Sequence, residues 1–329
     1  MSKDMMPHFD LYQPDTIETA LDLADRLGSD GWLLAAGQDS FDWLKNRTKR
    51  TPAVIELAGI AALKGVRETD SGLEIGALTT LTEVENHPLI KERYALLSKA
   101  AGRVASPQIR NAGTIGGNLS QDTRCWYYRY GVDCYRAGGN MCYADTPDGQ
   151  NREHAIFGAS RCIAVTPSDT ANAMVALDAS MVIRSSKGER VVPAQKFFVG
   201  PAVDIRHMTV IKPGEILTAI RLPKTWAGAT FYFEKVADRA TWDFALLSVA
   251  AAFLMDGDRI GDARLVCGAV ECVPRRLTAV EDAIRGSVRN DETATRAGKL
   301  AIEGAEPRNF NQFKIPLMEN LVRRAIRDA

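Results

Sequence analysis

Apolar residues at Ile17, Leu21, Ala24 and Leu27 mark one face of a helix that Gly28 closes, and Asp15-Thr16-Ile17-Glu18 ahead of them has the form of a capping box. The apolar run at 32–36 stops at Gly37, which predicts a helix feeding a buried strand that ends in a glycine turn. Residues 54–57 and 73–77 read as two further strands, and Thr80-Leu81-Thr82-Glu83 as a capping box opening another helix. Residues 92–104 read as helical. Period is then lost: 105–119 is a loop rich in Gly, Asn, Pro and Thr, and 121–158 is dense in Tyr, Cys, Gly and Arg with neither a helix nor a strand repeat. Long irregular segments inside compact domains are usually functional or disordered, and the aromatic content here opposes disorder.

A strand is expected again at 162–165, followed by a helix that begins at Pro167 and runs through Met174 and Leu177. Residues 181–184 and 190–192 flank a Ser-Lys-Gly turn and predict a hairpin, and 216–222 reads as a strand. Composition changes at 223–228, the best candidate boundary. Beyond it come strands at 231–236, 245–254 and 260–269, the last two joined by Asp256-Gly257-Asp258, and helices at 278–285, 292–303 and 310–327. The expected class is α+β: a first domain over 1–226 with an insertion at about 121–158, then a smaller α+β domain over 229–329.

The chain has 329 residues, enough for two domains with cores of their own. Its 41 Lys and Arg balance 41 Asp and Glu, so no electrostatic footprint for nucleic acid or an anionic membrane exists. No apolar run approaches the ~18 residues that span a bilayer. Residues 1–14 lack a basic and an apolar export region, so no export signal is expected. Six cysteines in a chain this long are too sparse for a disulfide scaffold and point to a reducing, cytoplasmic compartment.

Three loop elements could face a ligand. Ala35-Ala36-Gly37-Gln38-Asp39-Ser40 is a strand-to-turn junction with free amides. In Asn111 to Leu119, three glycines let the main chain approach closely while Thr114 and Asn118 offer a hydroxyl and an amide. Thr166-Pro167-Ser168-Asp169 sits at a helix start, where an anion or a ribose hydroxyl can be held. Each alone is equally a plain turn, loop or N-cap. Together they suggest a dinucleotide held without the G-x-G-x-x-G fingerprint, which the chain lacks.

Cys125, Cys134, Cys142 and Cys162 follow the spacing C-x8-C-x7-C-x19-C, without the paired C-x2-C knuckles of structural zinc and with only His154 nearby. Free thiols, disulfides, zinc and an iron–sulfur cluster all remain open, since a [4Fe-4S] cube asks for one sulfur per iron rather than a fixed spacing. Cys267 and Cys272, on and after an apolar strand, read as core. His8, His87 and His207 show no ligand or triad pattern and read as surface residues, and no Ser/His/Asp set, H-E-x-x-H or P-loop is present.

Ile75-Gly76-Ala77, Gln108 to Leu119, Cys162 to Asp169, Gly214-Glu215-Ile216-Leu217, Lys235 to Arg239 and Asp243-Phe244-Ala245 occur in an order that resembles the FAD-binding medium subunits of the xanthine oxidase family across nearly the whole chain. The cysteine insertion is similar to the branch with 4-hydroxybenzoyl-CoA reductase and bacterial molybdenum-dependent aldehyde oxidoreductases, whose flavin subunits carry an extra [4Fe-4S] cluster. The resemblance implies a PCMH-like FAD-binding domain of two α/β subdomains. Gly37 with its neighbours Ala35, Ala36, Gln38, Asp39 and Ser40 would cover the FAD pyrophosphate. Arg110, Thr114, Gly116, Gly117 and Asn118 would belong to the second clamp, and Ser168 and Asp169 to the ribose or ribityl site. Leu217 and Lys235 would lie near the isoalloxazine ring, and Cys125, Cys134, Cys142 and Cys162 would hold the cluster. Implied partners are a molybdopterin-binding large subunit, where an aldehyde, N-heterocycle or aryl-CoA reacts, and a small subunit with two [2Fe-2S] clusters. Export to the periplasm would then depend on a partner's signal.

The turn departs from its family form. Where Gly-Gly-Thr-Asp or Gly-Gly-Thr-Asn is common, this chain has Gly37-Gln38-Asp39-Ser40, which removes a permissive φ and a hydroxyl and sets a negative charge beside phosphates. Weaker FAD binding or a shifted contact set is expected. The rival readings are a standalone FAD dehydrogenase and a zinc-stapled binding module.

Overall fold

A computed structural model describes residues 6–329; residues 1–5, part of the stretch inspected for export signals, lie outside the described residues. Strands β1 (Asp10–Tyr12), β2 (Gly31–Leu34) and β3 (Ala53–Glu56) form a parallel sheet in the order β1-β3-β2. The helix Ile17–Leu27 connects the first two and buries Ile17, Ala20, Leu21 and Ala24. Its cap is Thr16, whose hydroxyl accepts from the Thr19 amide, one residue later than the box expected at Asp15.

A second, antiparallel sheet of β4 (Val66–Thr69), β5 (Gly72–Gly76), β6 (Ser180–Ser185), β7 (Gly188–Pro193) and β8 (Ile216–Pro223) runs in the order β4-β5-β8-β6-β7. The predicted hairpin is β6–β7. The capping box forms as read: Thr80 Oγ1 accepts from the Glu83 amide at 3.2 Å, and the Glu83 carboxylate accepts from the Thr80 amide at 2.8 Å.

Three expectations differ. The single helix at 92–104 is two, Pro88–Arg93 and Ala95–Gly102, because the chain turns at Tyr94 to bury its ring and bring the hydroxyl to Pro223 O at 3.1 Å. The loop at 105–119 holds two short helices, Pro107–Ala112 and Ile115–Ser120, capped by the hydroxyls of Ser106 and Thr114. Those N-caps and a proline at the first position outweigh the glycines between them. Residues 162–165, expected as a strand, belong to none.

The C-terminal sheet, β9 (Thr230–Val236), β10 (Leu247–Asp256), β11 (Arg259–Gly268) and β12 (Arg275–Arg276), is antiparallel in the order β12-β11-β10-β9. The long apolar run of β10 reflects burial on both faces. Val249, Ala251 and Phe253 face the core shared with the helices Thr278–Ile284, Asp291–Ala301 and Lys314–Arg327, whereas Ala250 and Ala252 join the core of the five-stranded sheet. The helix Asp169–Ala176, with all eight residues buried, is packed between the sheets. Among the described residues no helix is long and apolar enough to cross a membrane.

Thr80 also bridges to Thr114, so its cap supports one wall of the site. Thr80→Ala should lower stability by about 1 kcal/mol, the usual worth of an N-cap, measured as a shift in the urea midpoint at constant slope.

Candidate functional site

A cleft of about 510 Å³ opens between the turn after β2, the helices that follow Gly102, and the start of the C-terminal domain. Residues 35–40 after β2 form one side, Gly113, Thr114, Gly117 and Asn118 the other, and Pro167, Asp169 and Lys235 also line it. Gly37 has φ +75° and lies so near Phe41 that a Cβ would come within 2.3 Å of its ring, so only glycine makes this turn. A Cβ on Gly117 would touch Thr114 Oγ1 at 3.0 Å and stand 4.0 Å from Ala35 Cβ, which places the two clamps against each other. The Asn118 carboxamide is oriented by Ser168 and Thr170, whose hydroxyls donate to its Oδ1 at 2.7 and 2.6 Å.

Asp169 and Lys235 form a buried ion pair, Nζ to Oδ2 2.6 Å, each side chain 4% exposed. Lys235 Nζ also donates to Arg103 O at 3.0 Å. Burial pushes the Asp169 carboxyl up while the Lys235 ammonium pulls it back.

Four residues expected at the site stand behind the cleft wall. Arg110 pairs with Glu85 at 3.1 Å and donates to Val104 O. Gly116 lets its helix pack on Ala77, whose Cβ and O would lie 2.8 Å from an added Cβ. Ser168 caps the helix Asp169–Ala176, and Leu217 is buried in the core of the five-stranded sheet. Sequence reasoning missed Trp32, Trp43, Lys49, Arg124, Trp242 and Phe244, which do line the cleft. Trp242 arrives from the β9–β10 loop with φ +75°, and its amide donates to Ala105 O, itself at φ +42°.

The insertion carries the cysteines. Cys125, Cys134 and Cys142 each occupy the residue before a short helical turn, at Trp126–Arg129, Tyr135–Ala137 and Tyr143–Asp145. The Ala164 amide donates to Cys162 Sγ at 3.5 Å, and the nearby backbone amides of Tyr128 and Tyr127 partly offset the rise of the Cys125 thiol, as those of Ile163, Asp145 and Ala144 do for Cys142. Burial pushes the Cys125 thiol up to about 12, and Cys162 and Cys142 lie close enough to add their charge. Cys142 is raised by the same causes. Cys134 is buried against Trp43 and Tyr128, with Cys125 packed on the same cluster. The Arg136 guanidinium, 3% exposed, adds a buried positive charge beside Cys162 and donates to Cys272 Sγ at 3.6 Å. All four cysteines are free thiols. Among the described residues no group of three His, Cys, Asp or Glu side chains is arranged to hold a metal ion. Cys267 and Cys272 are buried, as read.

Residues 7–225 match the family described as the FAD binding domain in molybdopterin dehydrogenase, and residues 232–329 match the CO dehydrogenase flavoprotein C-terminal domain. The chain belongs to the FAD-binding medium subunits of the xanthine oxidase family. It is 33% identical over 301 residues to the aldehyde oxidoreductase FAD-binding subunit PaoB of Escherichia coli, covering 90% of each chain. To the carbon monoxide dehydrogenase medium chain of Hydrogenophaga pseudoflava it is 27% identical, covering 98% of this chain and 97% of that one. The solved carbon monoxide dehydrogenase from that organism superposes with a TM-score of 0.78 at 27% identity, over 98% of this chain and 97% of that one. Quinoline 2-oxidoreductase from Pseudomonas putida 86 does so with 0.78 at 25%, over 99% and 98%. The chain is thus the flavoprotein part of an oxidoreductase.

In this FAD-binding subunit the departure at Gly37-Gln38-Asp39-Ser40 has a structural counterpart. Asp39 Oδ1 pairs with Arg129 at 2.5 Å and Arg124 at 3.2 Å, and Oδ2 accepts from Trp43 Nε1 at 3.1 Å. Both arginines come from the cysteine insertion, and Arg129 also lies over the Trp43 ring. The charge expected to repel a diphosphate is therefore neutralised. Ser40 Oγ accepts from Trp32 Nε1 at 2.9 Å, so its hydroxyl is already engaged.

Arg129→Met should leave Asp39 with Arg124 as its one cationic partner and weaken FAD binding about tenfold, in line with the ~1.5–3 kcal/mol of a hydrogen bond to a charged group. Asp39→Asn added to it should recover most of the loss, both read by flavin-fluorescence titration of apoprotein.

Proposed function

We propose that this chain is the FAD and [4Fe-4S] relay subunit of a three-subunit molybdenum hydroxylase. It would carry electrons between the [2Fe-2S] centres of a small partner and an external acceptor or donor. Substrate, in the range of aldehydes, N-heterocycles and aryl-CoA esters, would react on a molybdopterin-binding large partner. Similar proteins support the assembly by name: an aldehyde oxidoreductase FAD-binding subunit, a carbon monoxide dehydrogenase medium chain and a nicotinate dehydrogenase FAD subunit.

FAD supplies one- and two-electron chemistry when bound, and an iron–sulfur cube one-electron chemistry. The protein's part is to bind and orient. Residues 35–40 and Thr114, Gly117 and Asn118 hold the diphosphate, Asp169 and Lys235 meet the flavin end, and Arg110, Gly116, Ser168 and Leu217 brace these contacts from behind. In this reading the flavin-binding part spans 1–226 with the insertion at 121–158, and the C-terminal part spans 229–329.

The observation that supports the cluster is the gathering of cysteines in and beside one insertion, with Cys125, Cys142 and Cys162 close enough to raise one another's thiols. The Ala164 amide donates to Cys162 Sγ at 3.5 Å, a bond that an electron-rich ligand sulfur uses better than a neutral thiol. The insertion also borders the cleft: Asp122 and Arg124, close to Cys125 in sequence, line it.

The test is iron, sulfide and flavin analysis of the complex purified without oxygen. The wild type should contain FAD and about eight irons per three-subunit complex, four of them in the two [2Fe-2S] clusters of the small partner. Cys134→Ser should fall to about four irons per complex and keep FAD; a full iron complement in that variant refutes the ligand set, and zinc in place of this chain's four irons supports the zinc-stapled reading. The chain expressed alone should show no flavin bleaching with aldehydes or N-heterocycles. Bleaching would favour the standalone dehydrogenase.

A further inference from the structure

Trp242 lines the cofactor cleft with an indole that the protein leaves unused. The residue is 58% exposed, and among the described residues its ring has no stacked ring, no cation over its face and no hydrogen-bond partner. Phe244, two residues on, differs, since the Arg124 guanidinium lies over its ring at 4.8 Å. The backbone at Trp242 has φ +75°, a region that bulky side chains rarely enter, and its amide donates to Ala105 O at 2.8 Å. Ala105 is itself at φ +42°. Glycine would turn at either place without strain, yet neither residue is glycine. Two strained residues from distant parts of the chain thus hold each other, and strain of this kind collects at ligand clamps.

The same bond fixes which end of the cleft the indole occupies. Lys235 Nζ donates to Arg103 O at 3.0 Å, and Trp242 donates to Ala105 O two residues further on, so the buried ion pair and the indole stand together. Val104 and Ile109 add apolar lining there, whereas the turn at 35–40 presents Asp39 and Ser40. We infer that Trp242 covers a face of the isoalloxazine ring of bound FAD, with the bond to Ala105 holding the indole in place. This rests on the reading that Asp169 and Lys235 meet the flavin end. A planar tricyclic ring offers the broad aromatic face that a free indole lacks, and stacking the two removes apolar surface of both from water. The strained loop is then explained, because it presents the indole to the cleft instead of letting it turn away.

The test titrates the deflavinated complex with FAD and records the flavin difference spectrum in the same experiment. Trp242→Leu should weaken FAD binding about tenfold and shift the flavin absorption bands, which respond to a ring stacked on the isoalloxazine. Trp242→Tyr keeps an aromatic face and should stay near the wild type in both. Asn118→Ala, at the diphosphate clamp, should weaken FAD binding without moving the bands. Unchanged affinity and bands in Trp242→Leu, with FAD weakened in Asn118→Ala, overturn the inference and leave the flavin site standing. An equal loss in Trp242→Leu and Trp242→Tyr makes position 242 a packing site and overturns the stacking. Weaker FAD in Trp242→Leu with unmoved bands puts the indole on the adenine, which reverses the cofactor and overturns both readings, as does full affinity in Trp242→Leu and Asn118→Ala alike.

Discussion

A carboxylate and an ammonium removed from water together hold the molecule at its centre. Asp169 stands at the first turn of a helix from the FAD-binding domain and Lys235 on a strand of the C-terminal domain, 2.6 Å apart and almost wholly buried. Either charge left alone there would cost about 3–5 kcal/mol, so the two domains are compelled to meet at this point. The floor of the cleft is thereby fixed, and the β9–β10 loop follows, bringing Trp242 and Phe244 to the rim. The alanines of β10 serve the same end, for small side chains on both faces of a buried strand let helix and sheet approach closely.

The insertion belongs to the flavin site as much as to the cysteines. A turn that lacks the family's second glycine and threonine would be a poor phosphate loop by itself. Here Arg124 and Arg129 reach out of the insertion to cancel the Asp39 charge, and Lys49 pairs with Asp122 at 2.6 Å to close the same corner. The unusual turn and the insertion are two halves of one electrostatic arrangement, and a chain carrying either alone would have an unbalanced charge at the mouth of the cleft.

Local signals were legible and distant pairings were not. The Thr80 capping box, the β6–β7 hairpin, the long apolar strands and the terminal helices all follow from neighbours in sequence, where propensity and period act. The helices at Pro107–Ala112 and Ile115–Ser120 were hidden because glycines suggest a loop while single hydroxyl caps are enough to start a turn. The motif order pointed to both clamps, yet the side chains that neutralise or orient them come from far away: Arg129 is 90 residues from Asp39, Lys235 66 from Asp169, and His154 29 from Cys125. No spacing rule encodes such pairs; they arise from packing. The same limit explains why Arg110 and Leu217, which sit within recognisable motifs, turn out to support the cleft from behind.

The anchoring of residues 153–155 by Asn311 and Lys314 also fixes an order of assembly. Lys314 opens the helix Lys314–Arg327, and its Nζ donates to Glu153 O, His154 O and Ala269 O, so these three contacts form only once that helix has left the ribosome. The corner around Cys125 is completed only once this C-terminal segment has folded back onto it. A chain shortened by its final helix would emerge with its flavin turn intact and its cysteine pocket unlatched.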